Sequence, residues 1–451
     1  MKNKNKLVYA VMLCFLAAVL ILYASNHACA AGEPEGELDV KTAVRERFLS
    51  YITYDTQSDP DSDKTPSTSK QLAFAKLLYE ECKAIGLSEV ELNEYGIVTA
   101  TLPSNINKTG VPVLGLLAHM DTSYEFSGKD VVPQIFDNYD GKDIELNAET
   151  VLSPKEFPAL KNYIGQTIIT ASGNTLLGAD DKAGVAEILT AMEYLIRHPE
   201  IPRGKIRIAF TPDEEIGQGT DNFDVESFGA DFAFTVDGGP LGELEFENFN
   251  AAMATFEITG RAVHPGSAKG IMKNSGLIAA EIASAFPPDE APSKTEGYEG
   301  FYHLVRIDGN VAKTRMEILI RCFDKEEFDA RKKFVAYLAG SFNEKYGENT
   351  VILNMRDQYY NMKEKVDSKI IEYAKSAFSA AGVEADIVPI RGGTDGARLS
   401  YKGLPCPNIF TGGHNFHGPY EFIPVESMEK AVYVIINLCK MVELSDIKVG
   451  R

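Results

Sequence analysis

Short apolar runs alternate with amphipathic stretches along most of the chain. Residues 113–118 form one such run, ending on His119, and residues 97–102, 205–210 and 231–236 form others. Apolar runs of this length, bounded by turn residues, predict buried strands. Between them, residues 69–86 read as a helix with Gly86 as its stop, and residues 182–197 as an amphipathic helix. Strands alternating with helices predict an α/β fold with a largely parallel sheet. In such sheets, sites gather at the carboxyl ends of the strands.

The pattern changes near Phe249. Residues 252–259 and 316–322 read as strands, 275–286 and 326–346 as helices, which makes a smaller α+β block. The first pattern resumes near Asn361, with a helix over 368–381, a strand over 386–390 and a final helix over 428–444. The expected organisation is a larger α/β domain built from 41–247 and 360–451, interrupted by residues 248–359 as a candidate lid. Residues 57–69 are polar and proline-containing, and read as a loop.

The first residues differ from the rest. Lys2, Lys4 and Lys6 precede an uncharged apolar run over 7–24, followed by Ala28-Cys29-Ala30. This order predicts an export signal over 1–30, cut after Ala30, with an uncleaved anchor as the rival. The expected location is therefore outside the cytoplasm, with membrane contact only if the segment stays uncleaved. A formal charge of −20 argues against nucleic acid as a partner, because a phosphate backbone needs a basic face. Cys82, Cys322, Cys406 and Cys439 are widely spaced with no CxxC pair, so buried thiols are expected rather than a disulfide framework or a cysteine zinc site.

Candidate chemistry sits where the predicted strands end. His119 and Asp121 close the 113–118 run in the stretch AHMD. Strand side chains alternate faces, so the carboxylate could accept the second N–H of the imidazole and free its other nitrogen for a metal. Asp180 and Asp181 open a helix, where a helix-cap reading competes. Asp213, Glu214 and Glu215 follow another strand; three adjacent acids at a core exit are costly without a cation, although a solvated loop is the alternative. Asp237 ends a further strand, and His414 and His417 lie in GHNFHG. Mixed nitrogen and oxygen ligands suit zinc, cobalt or manganese.

The stretches YDTQSD, AHMDTS, TLLGADDKAG, FTPDEEIG, TVDGG, GELEFENFNAA, VHPGSAKG, TEGYEGFYHL, IRGGTDGA and LPCPNIFTGG resemble the peptidase T family. These are aminotripeptidases of the di-zinc metallopeptidase clan that also holds aminoacylase and carboxypeptidase relatives. The resemblance runs from about residue 45 to the C-terminus. It implies a di-zinc exopeptidase-like catalytic domain with a ferredoxin-like lid, and two zinc ions per subunit. It further implies that His119 and Asp237 hold one zinc, Glu215 and His417 the other, and that Asp180 bridges. Asp121 would orient His119, and Glu214 would be the general base for a metal-bridging hydroxide. His264 would reach the scissile carbonyl, and Arg321 and Arg391 would receive a substrate carboxylate. His414 stays open as an alternative ligand. The implied reaction removes the N-terminal residue from tripeptides, with short peptides as partners and a homodimer as the assembly. The alternatives are another amide hydrolase of the clan, such as a dipeptidase, deacylase or carboxypeptidase, and a non-catalytic peptide-binding surface protein.

Overall fold

Eight strands form the main sheet in the computed structural model, which describes residues 38–440. Their spatial order is Ser88–Leu92, Val98–Leu102, Ile206–Thr211, Leu114–His119, Phe232–Gly238, Asn408–Phe410, Glu243–Glu245 and Asp386–Ile387. Leu114–His119 runs parallel to both of its neighbours, Ile206–Thr211 and Phe232–Gly238. All six of its residues are buried. A strand covered on both faces has no use for a polar alternation, which is why it reads as one apolar run.

The helix Ala179–Arg197 lies on this sheet and packs against helices Val40–Tyr51 and Val425–Lys440. Gly184 permits the close approach: a Cβ there would stand 2.0 Å from the Val236 carbonyl oxygen. Arg47 ties three helices together. It donates to Glu81 at 2.7 Å, to Glu193 at 2.7 Å and to Thr190 at 2.8 Å.

A second, four-stranded antiparallel sheet is ordered Phe301–Gly309, Lys313–Cys322, Asn250–Thr259, Val351–Tyr359. With helices Ser275–Ser284 and Lys325–Tyr346 it makes a split βαβ, ferredoxin-like unit with its own apolar core, including Phe256, Ile282, Ile318 and Phe328. Buried asparagines interlock where the chain enters and leaves this unit. Asn248 Oδ1 accepts from Met362 N–H at 2.7 Å, and Asn250 Oδ1 accepts from Asn361 N–H at 3.0 Å.

Several boundaries shift by one to three residues. The helix expected over 182–197 is preceded by a kinked entry: Ala179–Arg197 has non-helical backbone at Asp180 (φ −85°, ψ 104°) and Asp181 (φ −121°, ψ 33°), and the regular helix follows them. The strand expected over 386–390 is only two residues long, and the final helix is described over Val425–Lys440, with 441–444 outside the described residues. A small sheet of Pro133–Phe136, Ile168–Ala171 and Phe422–Pro424 was not foreseen, because its strands are too short for a periodicity to show. The four cysteines among the described residues, Cys82, Cys322, Cys406 and Cys439, are buried free thiols, as expected.

Glu187, in the middle of the Ala179–Arg197 helix, is fully buried, and neither of its carboxylate oxygens finds a partner among the described residues. Burial pushes this carboxyl well above the usual range. The folded protein therefore holds a proton that the unfolded chain releases above about pH 4.3, and stability falls as pH rises beyond that point. Glu187→Gln removes the ionisation. Its melting temperature is expected to match wild type near pH 4 and to exceed it increasingly toward pH 8; a gap independent of pH would refute the assignment.

Candidate metal centre

Three neighbouring parallel strands deliver acids and an imidazole to one edge of the main sheet. His119 is the last residue of Leu114–His119, Asp237 lies at the end of Phe232–Gly238, and Glu214–Ile216 form a short turn just beyond Ile206–Thr211. Asp180 comes from the non-helical, kinked entry of the helix packed on these strands. His417 arrives from a loop closed by paired backbone bonds between His414 and Phe422, of 2.9 and 3.1 Å. His417 itself has φ +65°, a left-handed conformation that turns the loop back.

Two ligand groups result, and they share one residue. His119, Asp180 and Asp237 form the first; Asp180, Glu215 and His417 form the second; within each, the donor atoms lie within 4.8 Å of one another. The shared carboxylate faces both ways. Asp180 Oδ1 is 2.9 Å from His119 Nε2, and Oδ2 is 3.2 Å from His417 Nε2. Asp237 Oδ1 is 3.4 Å from His119 Nε2, and Glu215 Oε2 is 3.0 Å from His417 Nε2. The first group is the more enclosed: His119 is 3% exposed, whereas the His417 side chain is 38% exposed. Glu125 reaches His417 Nδ1 at 3.0 Å from the loop after Asp121.

Asp121 sits where expected but bonds differently. His119 Nδ1 is 3.1 Å from the Asp121 carbonyl oxygen and 3.4 Å from its carboxylate. The strand ends at His119, so the alternation that would aim both side chains alike no longer holds. The carboxylate instead accepts the backbone N–H groups of Glu214 at 3.0 Å and Glu215 at 3.2 Å. Either acceptor on Nδ1 selects the tautomer that leaves Nε2 free for a cation. On the other side of the same turn, the Asp213 carboxylate accepts from the Ser67 hydroxyl at 2.5 Å and from Gln71 at 2.6 Å.

The electrostatics of the cluster call for a cation. Burial works against the charge of His119, yet Asp237, Asp121 and Asp180 hold its imidazole well above the usual range. His417 is pushed up to about 12 by Asp180 and Glu215 despite its own burial. Burial and the neighbouring Asp180 push Glu215 up to about 7. Glu215 Oε1 is buried with no partner among the described residues. A carboxylate with one orphaned oxygen, its other oxygen against the His417 imidazole, in a crowd of acids, fits the donor set of a mixed N/O metal site.

Glu214 stands at this cluster and coordinates neither group. Burial first, then Asp237, Asp395 and Glu215, raise its carboxyl well above the usual range against the pull of His119. The remaining candidates are placed elsewhere. His264 is exposed on the ferredoxin-like unit, where its Nδ1 accepts from Gly266 N–H at 3.1 Å; no hydrogen bond or ion pair among the described residues joins it to the cluster. His414 is not brought into the cluster: its Nε2 is bonded to the Tyr163 hydroxyl at 2.7 Å, its ring stacks on Phe422 at 4.6 Å, and burial lowers it to about 4. Arg321 lies over the Tyr359 ring at 5.0 Å and donates to Gln358 at 2.8 Å. Arg391 has its fork filled by the chain itself, donating to the carbonyls of Gly297 at 2.6 Å and Glu299 at 3.0 Å and to Thr295 at 2.9 Å. Neither arginine pairs with an acid among the described residues. Sequence reading missed Glu421, which is buried and accepts three backbone N–H groups of the 177–180 turn, and Glu125; neither follows the carboxyl end of a long apolar strand, the signal used to find the others.

Comparison with known proteins bears on the family and the fold. The model of peptidase family M20/M25/M40 matches residues 176–441. Peptidase T from Halothermothrix orenii is 58% identical over 402 residues, covering 88% of this chain and 98% of the relative. Peptidase T from a Geobacillus strain is 56% identical over 408 residues, covering 90% and 99%. Among solved structures, aminopeptidase PepT from Bacillus cereus aligns with a TM-score of 0.71 at 22% identity, covering 89% of this chain and 98% of that one. A dinuclear metal-binding peptidase of the M20 family from Bacillus subtilis aligns at 0.61 and 14% identity, covering 89% and 98%.

These relatives correct one expectation. They are cytoplasmic enzymes matched over nearly their whole length, which overturns the reading of this chain as an exported protein with a signal peptide. The apolar run that prompted that reading lies outside the described residues, and within them no helix is long and apolar enough to cross a membrane. By the extent and identity of these matches, and by the M20 model that spans more than half of its length, the chain belongs to the peptidase T branch of peptidase family M20/M25/M40.

Proposed function

We propose that this metallo-aminopeptidase removes the N-terminal residue from tripeptides using two zinc ions and Glu214. Metal dependence, aminopeptidase activity and peptide substrates follow from its family. The observation that carries the mechanism is the Asp180 carboxylate, with one oxygen turned to His119 Nε2 and the other to His417 Nε2. In this reading His119 and Asp237 complete one zinc site, Glu215 and His417 the other, and Asp180 serves both.

When bound, the zinc pair acidifies water and polarises the scissile carbonyl. Glu214 accepts the proton of the attacking water and passes it to the leaving amine. The suitability of Glu214 rests on its position at the cluster and outside both ligand groups. Asp121 fixes the backbone of the turn that carries Glu214 and Glu215, and it keeps the His119 tautomer. Glu125 does the same for His417.

Residues 248–359 act as the lid in this proposal, hinged at the interlocked asparagines. His264 reaches the scissile carbonyl only when the lid brings it over the cluster. Arg321, unpaired with any acid among the described residues, receives the substrate carboxylate. For Arg391 to share that task, its fork must leave the carbonyls of residues 297 and 299. The outer strand Phe301–Gly309 exposes Leu304, Val305 and Ile307 along a sheet edge that is unpaired among the described residues, which supports pairing with a second copy.

A clamp on the far carboxylate sets a length limit, because a longer chain overruns it. With zinc-loaded protein, tripeptides are expected to be cleaved with the highest kcat/KM in a series of two to six residues. Equal cleavage of tetrapeptides and longer chains would sink the clamp. Arg321→Ala is expected to raise KM for tripeptides while leaving zinc content unchanged.

A further inference from the structure

We infer that Glu421 is a positioning residue for both ions: its buried carboxylate clasps the 177–180 turn and holds Asp180 in its shared position before any metal arrives. The inference rests on the zinc-pair reading above. Glu421 is 1% exposed. Its Oε2 accepts the backbone N–H of Leu177 at 2.6 Å and of Gly178 at 2.8 Å, and its Oε1 accepts that of Asp180 at 3.1 Å. No lysine, arginine or histidine forms an ion pair with it among the described residues. A buried carboxylate is costly unless its lone pairs are met, and here three amides aimed at it do that.

The clasp joins two parts of the centre that are far apart in sequence. Glu421 stands four residues after His417, in the loop closed between His414 and Phe422. The turn it grips enters the helix through Gly178, in a left-handed conformation with φ +83°, and carries Asp180. One side chain therefore couples the loop that supplies an imidazole to the turn that supplies the carboxylate common to both ligand groups. The amides also fix which way the Asp180 backbone faces, and so where its side chain points. A ligand held in place without metal loses less freedom on binding, which is the usual benefit of such outer partners.

Glu421→Gln tests this in the full-length protein. The amide keeps the size of the side chain but turns an NH2 donor onto at least one of the three N–H groups. Zinc binding by competition with a chelating dye, and the visible spectrum of the cobalt-loaded protein, are the readouts. Wild type is expected to take two ions; folded Glu421→Gln is expected to bind both 10–100-fold more weakly, with an altered cobalt spectrum. A purely structural role would lower the melting temperature and leave the affinity of the folded protein unchanged, so wild-type affinity for both ions in folded Glu421→Gln would overturn the inference. If that variant does not fold, hydrogen exchange on metal-free wild type decides. Slow exchange at the amides of Leu177, Gly178 and Asp180, equal to that of the zinc-loaded protein, is expected, and fast exchange at them refutes the clasp. A wild-type protein that binds no ion pair would instead defeat the zinc reading, while the exchange result still judges the clasp.

Discussion

Glu214→Ala is expected to bind zinc as wild type does and to lose turnover by a factor on the order of 10²–10⁴, the usual contribution of a positioned general base. The separation of the two effects follows from placement. Glu214 lies beside the cluster, but neither three-residue ligand group includes it. Its backbone N–H is held by Asp121, so truncating the side chain leaves the turn and Glu215 in place. The check is metal content by elemental analysis beside kcat on a tripeptide. A variant with full zinc and wild-type kcat would remove the proposed role. A variant that loses zinc would instead move Glu214 among the ligands.

Asp180→Ala is expected to lose both ions together and to have no measurable activity, even in excess zinc. Each oxygen of this carboxylate faces a different imidazole, so one substitution strips a ligand from both groups. It also removes the acid that stands between His119 and His417. His417→Ala supplies the contrast. It touches only the more exposed group, and one zinc is expected to remain on His119, Asp180 and Asp237. Elemental analysis after dialysis against a weak chelator separates the cases: about no zinc, about one and about two per chain for Asp180→Ala, His417→Ala and wild type. If Asp180→Ala kept one firmly bound ion, the shared carboxylate would not be the centre of the site.

Much of this was legible in the sequence, because the information is local. A strand buried on both faces must be apolar, and Leu114–His119 and Phe232–Gly238 announce themselves that way. Acids and a histidine at the ends of such strands stand out against that background, and they mark His119, the acids 213–215 and Asp237; the choice of Glu215 among its neighbours comes from the motif resemblance. Asp180 and His417 needed the motif resemblance as well, since a cap and a polar loop explain them equally well in isolation. The change of texture near Phe249 likewise marks the second unit, because its sheet buries one face and alternates (Asn250–Thr259 is buried at every second position from Ala252).

What the chain by itself determined is therefore the succession of elements and the identity of the groups that carry charge at their ends. Tertiary structure alone decided which of those groups meet, and on what terms. The bonding capacity of a side chain is used up by whatever folding brings beside it. The Arg391 fork is taken by carbonyls more than ninety residues away, His414 by the Tyr163 hydroxyl, and the Asp121 carboxylate by two amides rather than by the imidazole two residues before it. Glu421 shows the converse: an acid with no local signal gains its place from three amides some 240 positions earlier. Periodicity reports which face of an element is buried, but it carries no record of partners across such distances, and those partners set both the charge and the aim of every group in the centre.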